Sequence, residues 1–78
     1  MSEFVNLSDI PMISVESSNI SEIGYDNDSE TLVVEFNHGG KYAYDGVPAE
    51  EFDALKVAES KGKYFIANIK GKYTFRKV

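Results

Sequence analysis

The residues best suited to binding chemistry lie in the last third of the chain. Residues 56–78 contain seven basic residues and one acid, whereas residues 1–55 contain twelve acids and one base, Lys41. Cations bind phosphates and flat aromatic rings stack on bases, so this basic segment with its interleaved aromatics suits single-stranded nucleic acid or nucleotides. The alternative is a solvated charged face that balances the acidic part of the molecule. The candidate binding residues in the segment are Lys61, Lys63, Tyr64, Lys70, Lys72, Tyr73, Arg76 and Lys77.

A helix that starts at Ser60 would add an anion site beside these residues. Serine is a common helix cap, and Gly62 would fall in the first turn. The first backbone N–H groups of a helix have no partner inside the helix and attract anions. We therefore predict an anion site at Ser60 and Gly62.

Two further aromatic candidates, Tyr42 and Tyr44, are separated by one residue. Successive side chains of a strand alternate, so both rings lie on the same face of a sheet. A preceding turn of two or four residues would leave them opposite the apolar face formed by Leu32, Val34 and Phe36, as an open platform for stacking bases. A turn of three residues would place them on that apolar face, as core. The sequence leaves both arrangements open.

The residue types that catalysis requires are scarce. There is no cysteine, and the one histidine, His38, falls in a predicted turn, where a histidine is most often solvated. Asp26, Asp28 and Glu30 have the spacing of the first ligands of a calcium loop, but the glycine and glutamate needed at its sixth and twelfth positions are absent. We therefore expect no enzymatic activity, no metal site and no cofactor.

Three strands of an antiparallel meander are predicted ahead of the basic segment. Apolar and other side chains alternate most clearly over residues 31–36. Residues with turn-forming tendencies, including Asn27-Asp28-Ser29 and Gly39-Gly40, separate the extended stretches. The predicted strands are residues 20–25, 31–36 and 41–44.

One or two helices are predicted to pack on this meander. Pro48 suits the first position of a helix whose buried stripe is Phe52, Leu55 and Ala58. A second helix is predicted within residues 61–70, followed by a short extended C-terminal tail. The predicted fold class is therefore α+β. Its predicted core is Ile23, Leu32, Val34, Phe36, Phe52, Leu55, Phe65 and Ile69.

Length and composition indicate one small domain. The chain has 78 residues and a net charge of −5. We expect a flexible arm over residues 1–13 and a folded domain over residues 14–78. No apolar run approaches the ~20 residues that span a bilayer, so we expect a soluble protein with no membrane partner. The absence of cysteine fits the reducing cytoplasm, where we expect the protein to be located. Small domains without disulfides often gain stability from a partner subunit, so a homo-oligomer stays open.

Several short motifs follow one another in an order that is typical of one family. They are Val15 to Ile20, Ile23 to Asp26, Leu32 to Phe36, Tyr42-Ala43-Tyr44 with Gly46-Val47-Pro48, the set Ser60, Gly62, Tyr64 and Phe65, and the ending Tyr73, Phe75, Arg76 and Lys77. Together they resemble the KTSC domain, named for its occurrence at the C-terminus of some lysyl-tRNA synthetases. One departure is Ile66, where this family often has Asn. The resemblance implies a standalone bacterial or phage protein, or an appendage of a larger enzyme, with RNA binding as a proposed role.

Three kinds of partner follow from these observations. The first, which we predict, is RNA, other single-stranded nucleic acid or a nucleotide, bound by the basic and aromatic residues. The second is a protein, such as a host factor modulated by a phage protein, docked on the acidic surface of residues 16–55. The third is a second copy of the chain, with the acidic sheet of one copy against the basic helix of the other.

Overall fold

The structure is a computed structural model that describes residues 10–78. Residues 1–9, most of the predicted arm, lie outside the described part. The described chain forms five strands and two helices. Their bounds are β1 Met12–Ser14, β2 Ile20–Asp26, β3 Thr31–Phe36, β4 Lys41–Tyr44, α1 Ala49–Val57, α2 Lys61–Asn68 and β5 Phe75–Lys77.

The strands form one antiparallel sheet in the order β1-β2-β3-β4-β5. The helices lie between β4 and β5 in sequence, and the chain returns from α2 so that β5 pairs with β4. Both helices contribute to one core on a single face of the sheet, where Phe52 and Phe65 pack with Leu32 and Val34. The predicted α+β class, with a meander at its centre, is therefore confirmed.

The predicted number of strands was wrong: the sheet has five strands, and the expected three are its centre. Each additional strand has three residues and lies at an edge, β1 against β2 and β5 against β4. Three residues are too few to display the alternation that identifies a strand in sequence. The predicted C-terminal tail is therefore a strand, and β1 begins two residues before the boundary predicted at residue 14.

The turn between β3 and β4 decides where the two tyrosines lie. The N–H of Phe36 donates to the carbonyl of Gly40 at 3.1 Å, which closes a turn of three residues between them. Gly39 and Gly40 both have a φ of +96°, a conformation that glycine adopts without strain. Tyr42 and Tyr44 consequently pair with Val34 and Leu32 and lie on the helix-covered face. The open platform on the opposite face is excluded.

The core agrees closely with the predicted one. Seven of the eight predicted residues are buried: Ile23, Leu32, Val34, Phe52, Leu55, Phe65 and Ile69. The eighth, Phe36, is half-buried against them. The core also contains Ile20, Tyr44 and Val47, which were not predicted. Val47 belongs to the loop before α1, where no periodicity marks a residue as buried.

Both helices begin at recognisable caps. Pro48 was predicted to be the first helical residue of α1. It is instead the N-cap, and Ala49 is the first helical residue. Ser60 is the N-cap of α2, and its side chain accepts a hydrogen bond from the N–H of Lys63. The second helix predicted within residues 61–70 is therefore present. Ala58 of the predicted stripe is the C-cap of α1 and is half-buried.

The segment at residues 10–12 packs on the opposite face of the sheet. Ile10 and Met12 pack there against Val33 and Ala43. The backbone passes so close to Gly24 that a Cβ at this position would lie 2.6 Å from the carbonyl oxygen of Pro11 and 2.5 Å from the sulfur of Met12. A side chain at residue 24 would therefore displace this covering segment.

Candidate functional site: an aromatic groove beside α2

A groove of about 420 Å³ lies on the helix-covered side of the sheet. One wall is α2 and the residues that follow it, with Ile66 and Lys70 among them. The other wall is the β3–β4 hairpin together with β5. Six rings line the groove: Phe36, His38, Tyr42, Tyr44, Phe65 and Phe75. The fold therefore assembles aromatic residues from four different elements in one concave surface.

Five of these rings form a closed circuit. Their centroids are 5.7 Å apart for Phe36 and Tyr42, 5.8 Å for Tyr42 and Phe75, and 5.5 Å for Phe75 and Tyr44. Phe65 completes the circuit at 5.4 Å from both Tyr44 and Phe36. Most pairs meet edge to face, an arrangement that orients neighbouring rings firmly. The exposed ring of His38 stacks on Phe36 at 5.6 Å and extends the circuit toward solvent.

Two apolar side chains at the groove remain open to solvent. Phe75 is 59% exposed on β5, and Ile66 is 56% exposed on α2. Large apolar side chains exposed beside a concave site often mark a place where a ligand is bound. The position at which the family often has Asn is thus part of this groove.

Three of the predicted basic residues are placed to serve the groove. Lys70 lines it directly. Lys63 is exposed on α2 three residues before Ile66, so it lies on the same helix surface as that groove residue. Lys77 is the cross-strand partner of Tyr42, so it lies on the groove-facing side of β5. Lys72 is exposed in the turn that joins α2 to β5.

Two other predicted basic residues are engaged elsewhere. Arg76 is the cross-strand partner of Ala43 and therefore lies on the opposite face of the sheet. Its guanidinium donates to both carboxylate oxygens of Asp45, at 2.9 and 2.8 Å. The ammonium of Lys61 donates to the carbonyl of Ala58 at 3.1 Å. These two cations stand apart from the groove.

Tyr64 and Tyr73 lie on the side of α2 that faces α1. The hydroxyl of Tyr64 donates a hydrogen bond to Glu51. This bond is the main cause, and burial the second, that raises the pKa of Tyr64 to about 12. The pKa of Tyr73 is raised mainly by burial and then by the charge of Glu51. The sequence interpretation grouped these rings with the lysines, but their surroundings are those of a contact between helices.

The predicted anion site at the start of α2 is occupied in part by the protein's own groups. The Ser60 hydroxyl accepts from the N–H of Lys63 at 3.4 Å and so takes one of the free amides. Gly62 is buried against Asn19, whose amide nitrogen would be 2.8 Å from a Cβ at position 62. Both Gly62 and Asn19 line one part of the groove.

Tyr44 is the deepest polar residue of the groove. It is 5% exposed, and its pKa is raised, first by burial and then by the neighbouring Tyr42. A phenol with a raised pKa stays protonated at neutral pH and can donate a hydrogen bond. Tyr44 was predicted as a stacking residue; its position adds a hydrogen-bonding group at the base of the groove.

Sequence reasoning missed part of this site. Phe36 and Phe65 were predicted as core, and His38 as a solvated turn residue, yet all three line the groove. Asn19 and Ile66 carried no site prediction. The available signal was the density of aromatic residues, 13% of the chain, which exceeds what the small predicted core accounts for.

Other kinds of site find no support in the described part of the chain. Residues 10–78 contain no cluster of three or more histidine or acidic side chains placed to hold a metal ion. Within the same residues, neither helix has the length and apolar character needed to cross a membrane.

Comparison with known proteins identifies the family. The architecture defines a small α+β domain with two helices on one face of an antiparallel sheet. The family model of the KTSC domain matches residues 16–73. The chain belongs to the KTSC domain family, and the resemblance inferred from sequence is confirmed.

The relatives include whole small proteins and parts of larger ones. A crystal structure of a KTSC domain protein from Yersinia pestis is 40% identical, with a TM-score of 0.87 over 88% of this chain and 97% of that one. A protein from Tsukamurella paurometabola is 40% identical over 80% of this chain and 92% of its own length. A lysine–tRNA ligase from Trichormus variabilis is 38% identical over 87% of this chain. The matched region spans 12% of that ligase.

Proposed function

We propose that this KTSC domain is a non-catalytic binding module for single-stranded RNA or nucleotides, and that the aromatic groove is its binding site. In this proposal a base enters the groove and packs against Phe75 and Tyr42, while Lys63, Lys70 and Lys77 bind the phosphates on either side. Of the basic residues predicted from sequence to bind RNA, these three lysines belong to the proposed site, whereas Lys61 and Arg76 do not.

The observation that carries the proposal is the closed circuit of rings beside the ammonium group of Lys70. The groove offers flat apolar surface, and the ammonium of Lys70 has neither a salt bridge nor a hydrogen bond to any residue from 10 to 78. Proteins that bind single strands combine aromatic stacking surfaces with cations along the backbone. Stacking on an aromatic side chain contributes about 1 to 3 kcal/mol per base.

The relatives support the same reading. Several of them are named lysine–tRNA ligase, an enzyme whose name gives tRNA as its substrate. A binding module attached to such an enzyme has RNA close by. The existence of relatives about as short as this chain supports a module that works without the rest of a ligase.

The test is the salt dependence of binding to a short single-stranded RNA, measured by fluorescence anisotropy. Each phosphate contact by a lysine contributes about −0.7 to the slope of log affinity against log salt for a single strand. We expect a slope near −2 for the three lysines of the groove. Lys70→Ala should lower the affinity and reduce the slope by about 0.7.

Arg76→Ala is the matched control, because it also removes one positive charge. Arg76 lies on the opposite face of the sheet and is paired with Asp45. We expect its substitution to leave the slope unchanged. If Arg76→Ala and Lys70→Ala weaken binding equally, the attraction is a property of net charge and the groove is not the site. Absence of RNA binding at low salt contradicts the proposal altogether.

A further inference from the structure

We infer that the Tyr44 hydroxyl selects the ligand of the groove, by donating a hydrogen bond to an acceptor on the inserted ring. This inference rests on the proposed function and adds a chemical requirement to it. The ring must present a carbonyl oxygen or an unprotonated ring nitrogen on its leading edge. Pyrimidines and purines meet that requirement, whereas a purely hydrocarbon ring does not.

The first observation concerns the burial and the hydrogen bonding of Tyr44. Tyr44 is 5% exposed, yet its hydroxyl makes no hydrogen bond to any of residues 10–78. None of the described residues has a polar side-chain atom that is both sealed from solvent and without a hydrogen-bond partner, and this includes Tyr44. Its hydroxyl therefore retains an opening, and the cavity that Tyr44 lines is the groove.

Tyr44 is the most buried of the five tyrosines, and two of the less buried ones donate their hydroxyl hydrogen to groups of the protein. The hydroxyl of Tyr25 donates to the carbonyl of Val47, and that of Tyr64 donates to Glu51. Both residues are more exposed than Tyr44, so water could satisfy them more easily, yet the fold supplies a partner to each. The Tyr44 hydroxyl has no such acceptor among residues 10–78, so an acceptor from outside the fold can complete it. A ligand acceptor is the partner that the groove position indicates.

The energetic consequence is selectivity against rings that lack an acceptor. A ligand that fills the groove without an acceptor leaves the phenol unpaired in a dry site, which costs affinity. A ligand with an acceptor regains that hydrogen bond. Sites that hydrogen-bond their ligand therefore discriminate more strongly than apolar contact alone can.

The experiment compares two oligonucleotides that differ only in their rings. One is a short oligouridine, and the other has the same ribose-phosphate backbone with phenyl groups in place of uracil. The wild-type protein should prefer the oligouridine by about tenfold, the value of one hydrogen bond at the upper end of its usual range. In Tyr44→Phe the preference should fall close to one, while the affinity for the phenyl oligonucleotide should not decrease.

Tyr42→Phe is the matched control, since it removes the neighbouring hydroxyl of the same Tyr-x-Tyr pair from a half-buried ring. It should retain the preference of the wild type. Tyr44→Phe should also melt at a temperature no lower than the wild type does, because the hydroxyl has no hydrogen-bond partner among residues 10–78. A clear loss of thermal stability in Tyr44→Phe would mean that the hydroxyl is structural, and would overturn the inference.

The outcomes separate this inference from the function on which it rests. If the oligouridine binds in the groove and Tyr44→Phe keeps the full preference, the hydroxyl does not select the ligand, although the module binds RNA. If neither oligonucleotide binds, the proposed function fails and the selection by Tyr44 fails with it.

Discussion

Similar residues lie on the two sides of α2, but the hydrogen bonding of their polar groups differs. On the side that faces α1, the hydroxyl of Tyr64 is bonded to Glu51 and the ammonium of Lys61 to Ala58. On the groove side, Lys70 and the hydroxyl of Tyr44 lack a hydrogen-bond partner among the residues that the structure describes. The polar groups of the first side form hydrogen bonds to α1 and its C-cap. Those of the second side are available to bind a ligand.

This difference has a direct consequence for mutations. Substitutions on the α1 side should change the free energy of unfolding and leave groove binding intact in the folded fraction. Substitutions of exposed residues on the groove side, or removal of the Tyr44 hydroxyl alone, should change binding and leave stability intact. Three predictions test that separation, from the largest effect on stability to the smallest.

The largest effect is expected for Leu55→Ala in α1. Leu55 is fully buried, and its side chain belongs to the core between the helices and the sheet. Truncating a buried leucine costs about 2 to 5 kcal/mol, through lost burial and the cavity that remains. Because a domain this small is marginally stable, urea denaturation should show a large drop in midpoint or a chain unfolded at room temperature. A loss below about 1 kcal/mol would mean that α1 packs less tightly than its burial indicates.

A smaller and pH-dependent effect is expected for Tyr64→Phe, which removes the hydrogen bond to Glu51. Below pH 10 the loss should be about 1 kcal/mol. The pKa of Tyr64 is raised to about 12 in the folded protein, against about 10 when unfolded, so the wild type loses this stabilisation as pH rises from 10 to 12.

Denaturation midpoints measured across that pH range check the assignment. The difference between wild type and Tyr64→Phe should narrow toward pH 12. Both proteins keep some dependence on pH, since burial also raises the pKa of Tyr25 and of Tyr44. A difference that stays constant from pH 8 to 12 would show that the hydrogen bond to Glu51 contributes nothing.

The smallest effect on stability is expected for Ile66→Ser on the groove side. Ile66 is 56% exposed, and exposed substitutions usually change stability by no more than about 0.5 kcal/mol. Its affinity for single-stranded RNA should nevertheless fall several-fold, because apolar surface of the groove is removed. Val57→Ser is the matched control, as Val57 is 81% exposed on α1, away from the groove. Equal RNA affinity for the two variants would contradict the contrast between the two sides of α2.

Much of the fold could be predicted from the sequence because its elements leave local signals. The alternation in β3, the proline before α1 and the serine cap of α2 are all readable within a few residues. The edge strands could not be predicted, since three residues of β5 carry no period and gain their place only by pairing with β4.

The candidate site was predictable in composition but not in arrangement. The positions of Tyr42 and Tyr44 depended on one turn, whose length followed from a backbone hydrogen bond between Phe36 and Gly40. The separation of Arg76 from the lysines depended on its register opposite Ala43. Phe75 joined the groove for the same reason, because pairing with Tyr44 placed both rings on one face. Register is a property of the assembled sheet and is not encoded by spacing within one segment.

The most direct test of the account is an NMR titration of the labelled protein with short single-stranded RNA at low salt. Saturable shifts concentrated on Tyr42, Tyr44, Ile66, Lys70 and Phe75 are predicted, with the resonances of Tyr64 and Arg76 largely unmoved. An unchanged spectrum, or shifts confined to the face that carries Arg76, would contradict the claim that the aromatic groove binds RNA.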